Sequence, residues 1–154
     1  LVSYLEKYFR KYRIMKADSD VKNVLTEDGL PKEALKTFHQ YENQTTVNVD
    51  ALRKELGMTS WAVRIAYNDR FGGVVIQQQT GEGNRKHYHP HADENWVILD
   101  GWWEWWIEGQ GTKLVKKNDI IVVPKNTWHH IRCTKGPGIR YAITQPDVEH
   151  VYEE

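Results

Sequence analysis

Residues 81–101 read GEGNRKHYHPHADENWVILDG, which places three of the chain's seven histidines at alternate positions and a carboxylate soon after them. In a β-strand alternate side chains share a face, so His87 and His89 aim two imidazoles into one interior. His91 joins them only if the strand continues, and Pro90 opposes that because it has no N–H for a sheet ladder. Along an unbroken strand His87 and His91 would stand ~13 Å apart, an awkward span for ligating one ion together. At most two of the three are therefore expected as ligands. Glu94, after the turn-like stretch Pro90 to Asp93, can return to the interior as a third. The other clustered histidines, His129 and His130, face opposite ways if they lie on a strand, so one of them is a fourth candidate.

Around this stretch, short β-rich runs alternate with turn residues. The runs are Trp61 to Tyr67, Val74 to Gln79, Asn95 to Leu99, Trp102 to Ile107, Lys113 to Lys116, Ile120 to Val123 and Ile139 to Thr144. Between them come Gly72-Gly73, Gly81-Glu82-Gly83, Asp100-Gly101, Gly109-Gln110-Gly111, Asn118-Asp119 and Gly136-Pro137-Gly138. Many short strands at this spacing predict an all-β antiparallel sandwich or small barrel. Residues 1–57 read differently, as a helical N-terminal arm preceding a β-domain over 58–154. Ser3 caps a segment in which Tyr4, Leu5, Tyr8, Phe9 and Tyr12 recur at helical spacing. Pro31 suits the first turn of a helix from Lys32 to Tyr41, and Gly57 is a natural stop after Ala51 to Leu56.

The chain has 154 residues, with 21 basic and 21 acidic side chains in balance. That balance excludes the electrostatic footprint of a general nucleic-acid or anionic-membrane binder and leaves a small-molecule ligand as the expected partner. No run reaches the length of a membrane span. Cys133 is the single cysteine, so there is no intrachain disulfide framework and a cytoplasmic setting is the expectation.

The spacing of Gly81, His87, His89, Glu94 and Gly101 resembles the first motif of the cupin superfamily, interval for interval. Asn118, Pro124, Asn126 and His129 follow the register of its second motif, with asparagine at both glycine positions and Cys133 at its final asparagine. Asparagine tolerates left-handed turn geometry best after glycine, so these two departures preserve the backbone demand. The resemblance covers roughly residues 60–145. It implies a cupin-type antiparallel β-barrel, or jelly roll, with one divalent metal held by His87, His89, Glu94 and His129. A competing register resembles some cupin phosphomannose isomerases, through Glu94-Asn95-Trp96, and would recruit His89 and His91 in place of His87.

Three imidazoles and a carboxylate suit Fe(II), Mn(II), Ni(II), Cu(II) or Zn(II). Four protein ligands leave two positions of an octahedral ion for substrate or dioxygen. The first expectation is thus a mononuclear non-haem metal enzyme of dioxygenase type, acting on a small polar or aromatic molecule. A sugar-phosphate isomerase and a non-catalytic small-molecule or carbohydrate binder are the alternatives. Gln77, Gln79, Trp96, Trp103, Trp105 and Trp128 are expected as pocket walls, with Arg64 and Tyr67 as further polar contacts. The tryptophans of residues 102–106 fall on both faces of one strand, and one face needs cover from the arm or from the second subunit of a homodimer.

Overall fold

The computed structural model describes residues 37–153. The expected helix from Ser3 and the first half of that from Lys32 lie outside this range. After a helical turn at 37–39, helix α1 (Val49–Leu56) is capped at its start by the Asn48 side chain, which accepts from the Ala51 N–H at 2.9 Å. It stops at Gly57, whose φ of 85° suits glycine and whose N–H returns to the Arg53 carbonyl.

Eight strands follow: β1 (Trp61–Tyr67), β2 (Gly72–Gln78), β3 (Gly83–Tyr88), β4 (Glu94–Ile107), β5 (Gly111–Lys116), β6 (Ile120–Val123), β7 (His129–Thr144) and β8 (Val151–Tyr152). All their pairings are antiparallel. The architecture is the all-β cupin-type barrel, built around two long strands, β4 and β7, that pair with each other along nearly their whole length. Each changes neighbours part-way. One half of β4 pairs with β6 and the other with β5, while β7 pairs with β3 through His129–Arg132 and with β2 through Gly138–Thr144.

The change of neighbours occurs where the β4–β7 register shifts, at Asp100 to Trp103. Gly101 makes this bend possible. Its φ is 78°, and a Cβ there would stand 2.6 Å from the Gly138 Cα, so no other residue fits without moving the partner strand. The runs expected at 95–99 and 102–107 are therefore one strand, because the Asp100-Gly101 pair bends the chain without ending it. Asn118 and Asn126 adopt φ of 76° and 59°, the left-handed geometry that the glycines of the cupin motif would supply.

Two clusters form the core. Inside the barrel, Trp96, Ile98, Trp103, Trp105, Ile107, Val123, Ile131 and Cys133 pack together with Phe38. Outside it, Leu52 of α1 joins Tyr41, Trp61, Val63, Val75 and Ile139, so residues 37–57 are packed onto the β1–β2–β7 face. The outer face of β4 keeps Trp102 exposed, with the Lys116 ammonium 5.1 Å from its ring. Cover for that indole from residues 1–36 lies outside the described range. No helix among the described residues is long and apolar enough to cross a membrane.

Candidate metal centre

His87 and His129 are directly opposed across the β3–β7 ladder, and alternation along the chain brings His89 to the same side. Glu94 opens β4. Its approach is held by the Asp93 side chain, which accepts from the Lys125 N–H at 2.9 Å, and by the Asp93 carbonyl, which accepts from Thr144. The Asn126 N–H donates to the His89 carbonyl at 2.8 Å, so the turn that precedes His129 is tied directly to the other histidines. One ligand atom from each of His87, His89, Glu94 and His129 lies within 4.8 Å of the others, and all four residues are buried.

The tautomers follow from the second nitrogen of each ring. The Nδ1–H of His87 donates to the Arg85 carbonyl at 2.6 Å, that of His89 to Glu149 at 2.8 Å, and that of His129 to Thr127 at 2.9 Å. A carbonyl only accepts, so each neutral ring carries its lone pair on Nε2. Those three Nε2 atoms and Glu94 Oε2 have no hydrogen-bond partner among the described residues. Glu94 Oε2 stands 3.4 Å from His89 Nε2 and 3.2 Å from His129 Nε2. Imidazoles oriented by carbonyls, with their free nitrogens converging beside a carboxylate, are the usual second-layer arrangement of a metal site. The four residues could hold one divalent ion.

Burial, followed by the neighbouring imidazoles, holds His87 well below the ordinary histidine pKa. Burial pulls His89 the same way, but the Glu94 carboxylate outweighs it and the result is a raised value. For Glu94, burial acts upward and is overcome by His89 and His129, leaving the carboxyl well below its usual range. The Glu94 carboxylate and the His89 ring thus each favour the other's charged form.

A cavity of about 230 Å³ opens beside the four residues, with Glu94 among its walls. Phe38, Val74, Ile76, Trp96 and Ala142 supply apolar wall, while Asn84 and His150 are polar. At its rim, Arg64 lies 3.7 Å over the Tyr67 ring and pairs with Glu42 at 2.7 Å, and Tyr67 donates to Asp147.

Of the residues expected to line a pocket, Trp96, Arg64 and Tyr67 do so. Gln77 and Gln79 do not. Strand alternation turns them toward α1 and the segment after it, where Gln77 donates to the Gly57 and Thr59 carbonyls and Gln79 to that of Met58. Gln78 faces the interior instead. Trp103 and Trp105 are fully buried in the barrel core beyond the cavity walls, because their faces are needed to fill its end. Trp128 packs edge-on against Tyr88, with ring centroids 4.7 Å apart, and is not a wall. His91 is 75% exposed and remains outside the cluster, with Glu149 Oε2 3.9 Å away.

Three interior residues went unread in the sequence. His150 lies 5.1 Å from the His87 ring and 4.6 Å from that of His89, and its Nδ1–H donates to the Val148 carbonyl. Burial and His89 draw its pKa down to about 4. Asn84 and Arg140 form the other group: Arg140, fully buried, donates to Gln78 Oε1 and to Asn84 Oδ1. Arg140 had a signal, since in Ile139–Ala142 it shares a strand face with Ala142. His150 had none beyond its residue type. Burying a guanidinium away from a counter-charge costs several kcal/mol, more than the ~2 kcal/mol a desolvated cation–π contact returns. The three indoles around Arg140, at 4.4, 5.1 and 5.8 Å from its Cζ, therefore offset only part of that cost.

Residues 74–139 match the family model for the cupin domain. That stretch is a cupin domain. This cupin resembles an uncharacterized conserved protein with a double-stranded β-helix domain from Klebsiella pneumoniae, with 18% identity over 73% of this chain and 94% of the other, at a TM-score of 0.60. A protein of Bacillus halodurans is 19% identical over 73% and 88% of the two chains, at 0.56. DMSP lyase DddQ from Ruegeria pomeroyi is 20% identical over 69% and 55%, at 0.53. At these identities the likeness is one of fold. No curated protein matches the sequence closely enough to lend it an activity.

Proposed function

We propose that this cupin is a mononuclear metal enzyme that acts on a small polar or aromatic molecule held in the barrel cavity, with dioxygen-dependent oxidation as the first reading. The observation that carries it is the convergence of three unpartnered, carbonyl-oriented Nε2 atoms on Glu94. His87, His89, Glu94 and His129 would hold Fe(II), Mn(II), Ni(II), Cu(II) or Zn(II). Such an ion supplies Lewis acidity and, where it is redox-active, electron transfer at its open positions. The chain's own contributions are apolar walls that exclude water, Trp96 as a flat surface for a ring or alkyl group, and the Arg64–Tyr67–Asp147 rim.

His150 favours a second reading, proton transfer in an isomerase or lyase. With Nδ1–H committed to the Val148 carbonyl and its pKa drawn down to about 4 by burial first, it is neutral near pH 7 and presents Nε2 as a proton acceptor beside the metal ligands. Elemental analysis of the purified protein, then anaerobic Fe(II) loading and oxygen uptake with a panel of small phenols and hydroxy acids, tests the first reading. Substrate-dependent uptake that His129→Ala abolishes supports it. Turnover without uptake, lost in His150→Ala at full metal content, selects the second reading. Absence of any stoichiometric metal refutes both.

We place the activity in a homodimer. Leu114 on β5 and Ile120 on β6 are each 69% exposed, Trp102 and Val122 are exposed to a lesser degree, and a second copy would cover such apolar side chains. Light scattering of the eluted protein tests this: a monomer at micromolar concentration refutes it.

A further inference from the structure

Arg140 projects from β7 into the barrel and is wholly buried. The hydrogen-bond acceptors around it are neutral amides: Gln78 Oε1 at 3.2 and 2.7 Å from Nε and Nη2, and Asn84 Oδ1 at 2.8 Å from Nη2. Among the described residues no carboxylate is in ion-pair contact with it. Its Nη1 has no hydrogen-bond partner among the described residues, and neither do Nε1 of Trp96 and Nε1 of Trp105. These are three donors that cannot accept, on groups that all lie within 6 Å of one another. What such a group lacks is an acceptor, and beside a guanidinium an anionic acceptor.

Asn84 connects this group to the cavity. With Oδ1 turned to Arg140, its amide must present Nδ2–H to the other side, and Asn84 and Trp96 are both cavity walls. Glu94, a wall carboxylate, acts on Arg140 only from a distance and faces His89 Nε2 at 3.4 Å and His129 Nε2 at 3.2 Å instead. A divalent ion at the four ligands would leave the cavity between two net positive centres.

We propose that the cavity selects a small organic carboxylate, with its carboxylate group on the side of Asn84, Trp96 and Arg140. This deepens the metal-enzyme reading by naming a substrate class and rests on that reading only for the reacting end; the subsite itself needs no metal.

The test uses the full chain with its metal content measured beforehand. Acetate, pyruvate, malonate and benzoate are each compared with the corresponding primary amide by thermal shift and titration calorimetry, with chloride at equal ionic strength as the control. The expected result is that at least one carboxylate binds tenfold or more tightly than its amide. That preference should be lost in Arg140→Met at unchanged metal content and partly retained in Arg140→Lys. Should Arg140→Met fail to fold, the carboxylate-to-amide comparison on the unmodified chain decides. Equal binding of acids and amides overturns the proposal, as does a preference that survives in Arg140→Met, which would place the carboxylate on the metal instead. Chloride matching every carboxylate overturns it too, since the site would then be one for an inorganic anion. A chain without metal that still prefers acids removes the metal-enzyme reading and leaves the subsite; a metal-loaded chain without the preference does the reverse.

Discussion

Removing the metal should destabilise the protein by an amount that depends on pH in a way the site geometry dictates. An ion bound only by the folded state, at a free concentration about 1,000 times its Kd, stabilises by ~4 kcal/mol, or roughly 8–16 °C in Tm for a domain of this size. To ligate, His89 must give up the proton on Nε2. Glu94 holds the pKa of His89 above the ordinary histidine value, against the pull of burial. From pH 6.5 to 5, affinity therefore falls tenfold per unit through this residue, which removes ~2 kcal/mol of the stabilisation. His87, held well below the ordinary value by burial and by its imidazole neighbours, adds little over that interval. The sign is the same from the metal-free side: a histidine with a raised folded pKa contributes stability that is complete below the unfolded value and lost as pH rises, so acid favours the apo form. His150, drawn down to about 4, costs both forms stability as pH falls below ~6.5, and cancels in their difference. Paired melts with and without chelator, from pH 7.5 to 5 and with bound metal verified before each, should show a gap that narrows by at least half. A gap that is constant over the range would refute the coupling of His89 to Glu94. Its absence at every pH, despite verified metal removal, would refute the four-ligand site.

Substitution should separate the two registers of the histidine motif. His87→Ala and His129→Ala should each lose stoichiometric metal, while His91→Ala, altering a side chain 75% exposed to solvent, should keep it; the reverse pattern would transfer the site to His89 and His91. Leu52→Ala should cost ~2–5 kcal/mol in urea unfolding, because Leu52 is the buried residue of α1 and packs on Trp61, Val63 and Ile139; a loss under ~1 kcal/mol would mean that α1 is only loosely docked. Asp100→Asn should cost less than about 1 kcal/mol at pH 7, since the Arg53–Asp100 pair at 2.6 Å is partly exposed. Burial acts upward on the Asp100 carboxyl, but Arg53 and the Gly101 N–H outweigh it and lower its pKa. Its contribution is therefore present above the unfolded value near 4 and lost as pH falls through the folded one, so the mutant and parent stabilities should converge in acid.

The barrel was legible from local rules, and its four candidate ligands from those rules together with the resemblance to the cupin motifs, which singled out His87 over His91 and His129 over His130. A two-residue period puts His87 and His89 on one face, a left-handed turn takes glycine or asparagine, and a short β-rich run between turns becomes a strand. Glutamine at 77, 78 and 79 gave no such guide, because three polar residues in succession carry no alternation from which to choose a face. The choice is made by α1, whose Arg53 and following carbonyls take up Gln77 and Gln79 and leave Gln78 for Arg140. The tryptophans misled for a related reason. An indole suits a ligand wall and a barrel core equally well, and only the volume that must be filled behind Trp96 assigns Trp103 and Trp105 to the core. His150 is brought to the site by the return of the chain to β3 through β8, a pairing of two residues too short to leave a periodic trace. A part of the cavity that depends on which distant segments meet can thus be read only from their packing. Arg140 is the intermediate case: alternation points it inward, but only the neutral amides and indoles that surround it show that its charge has no ion-pair partner among the described residues.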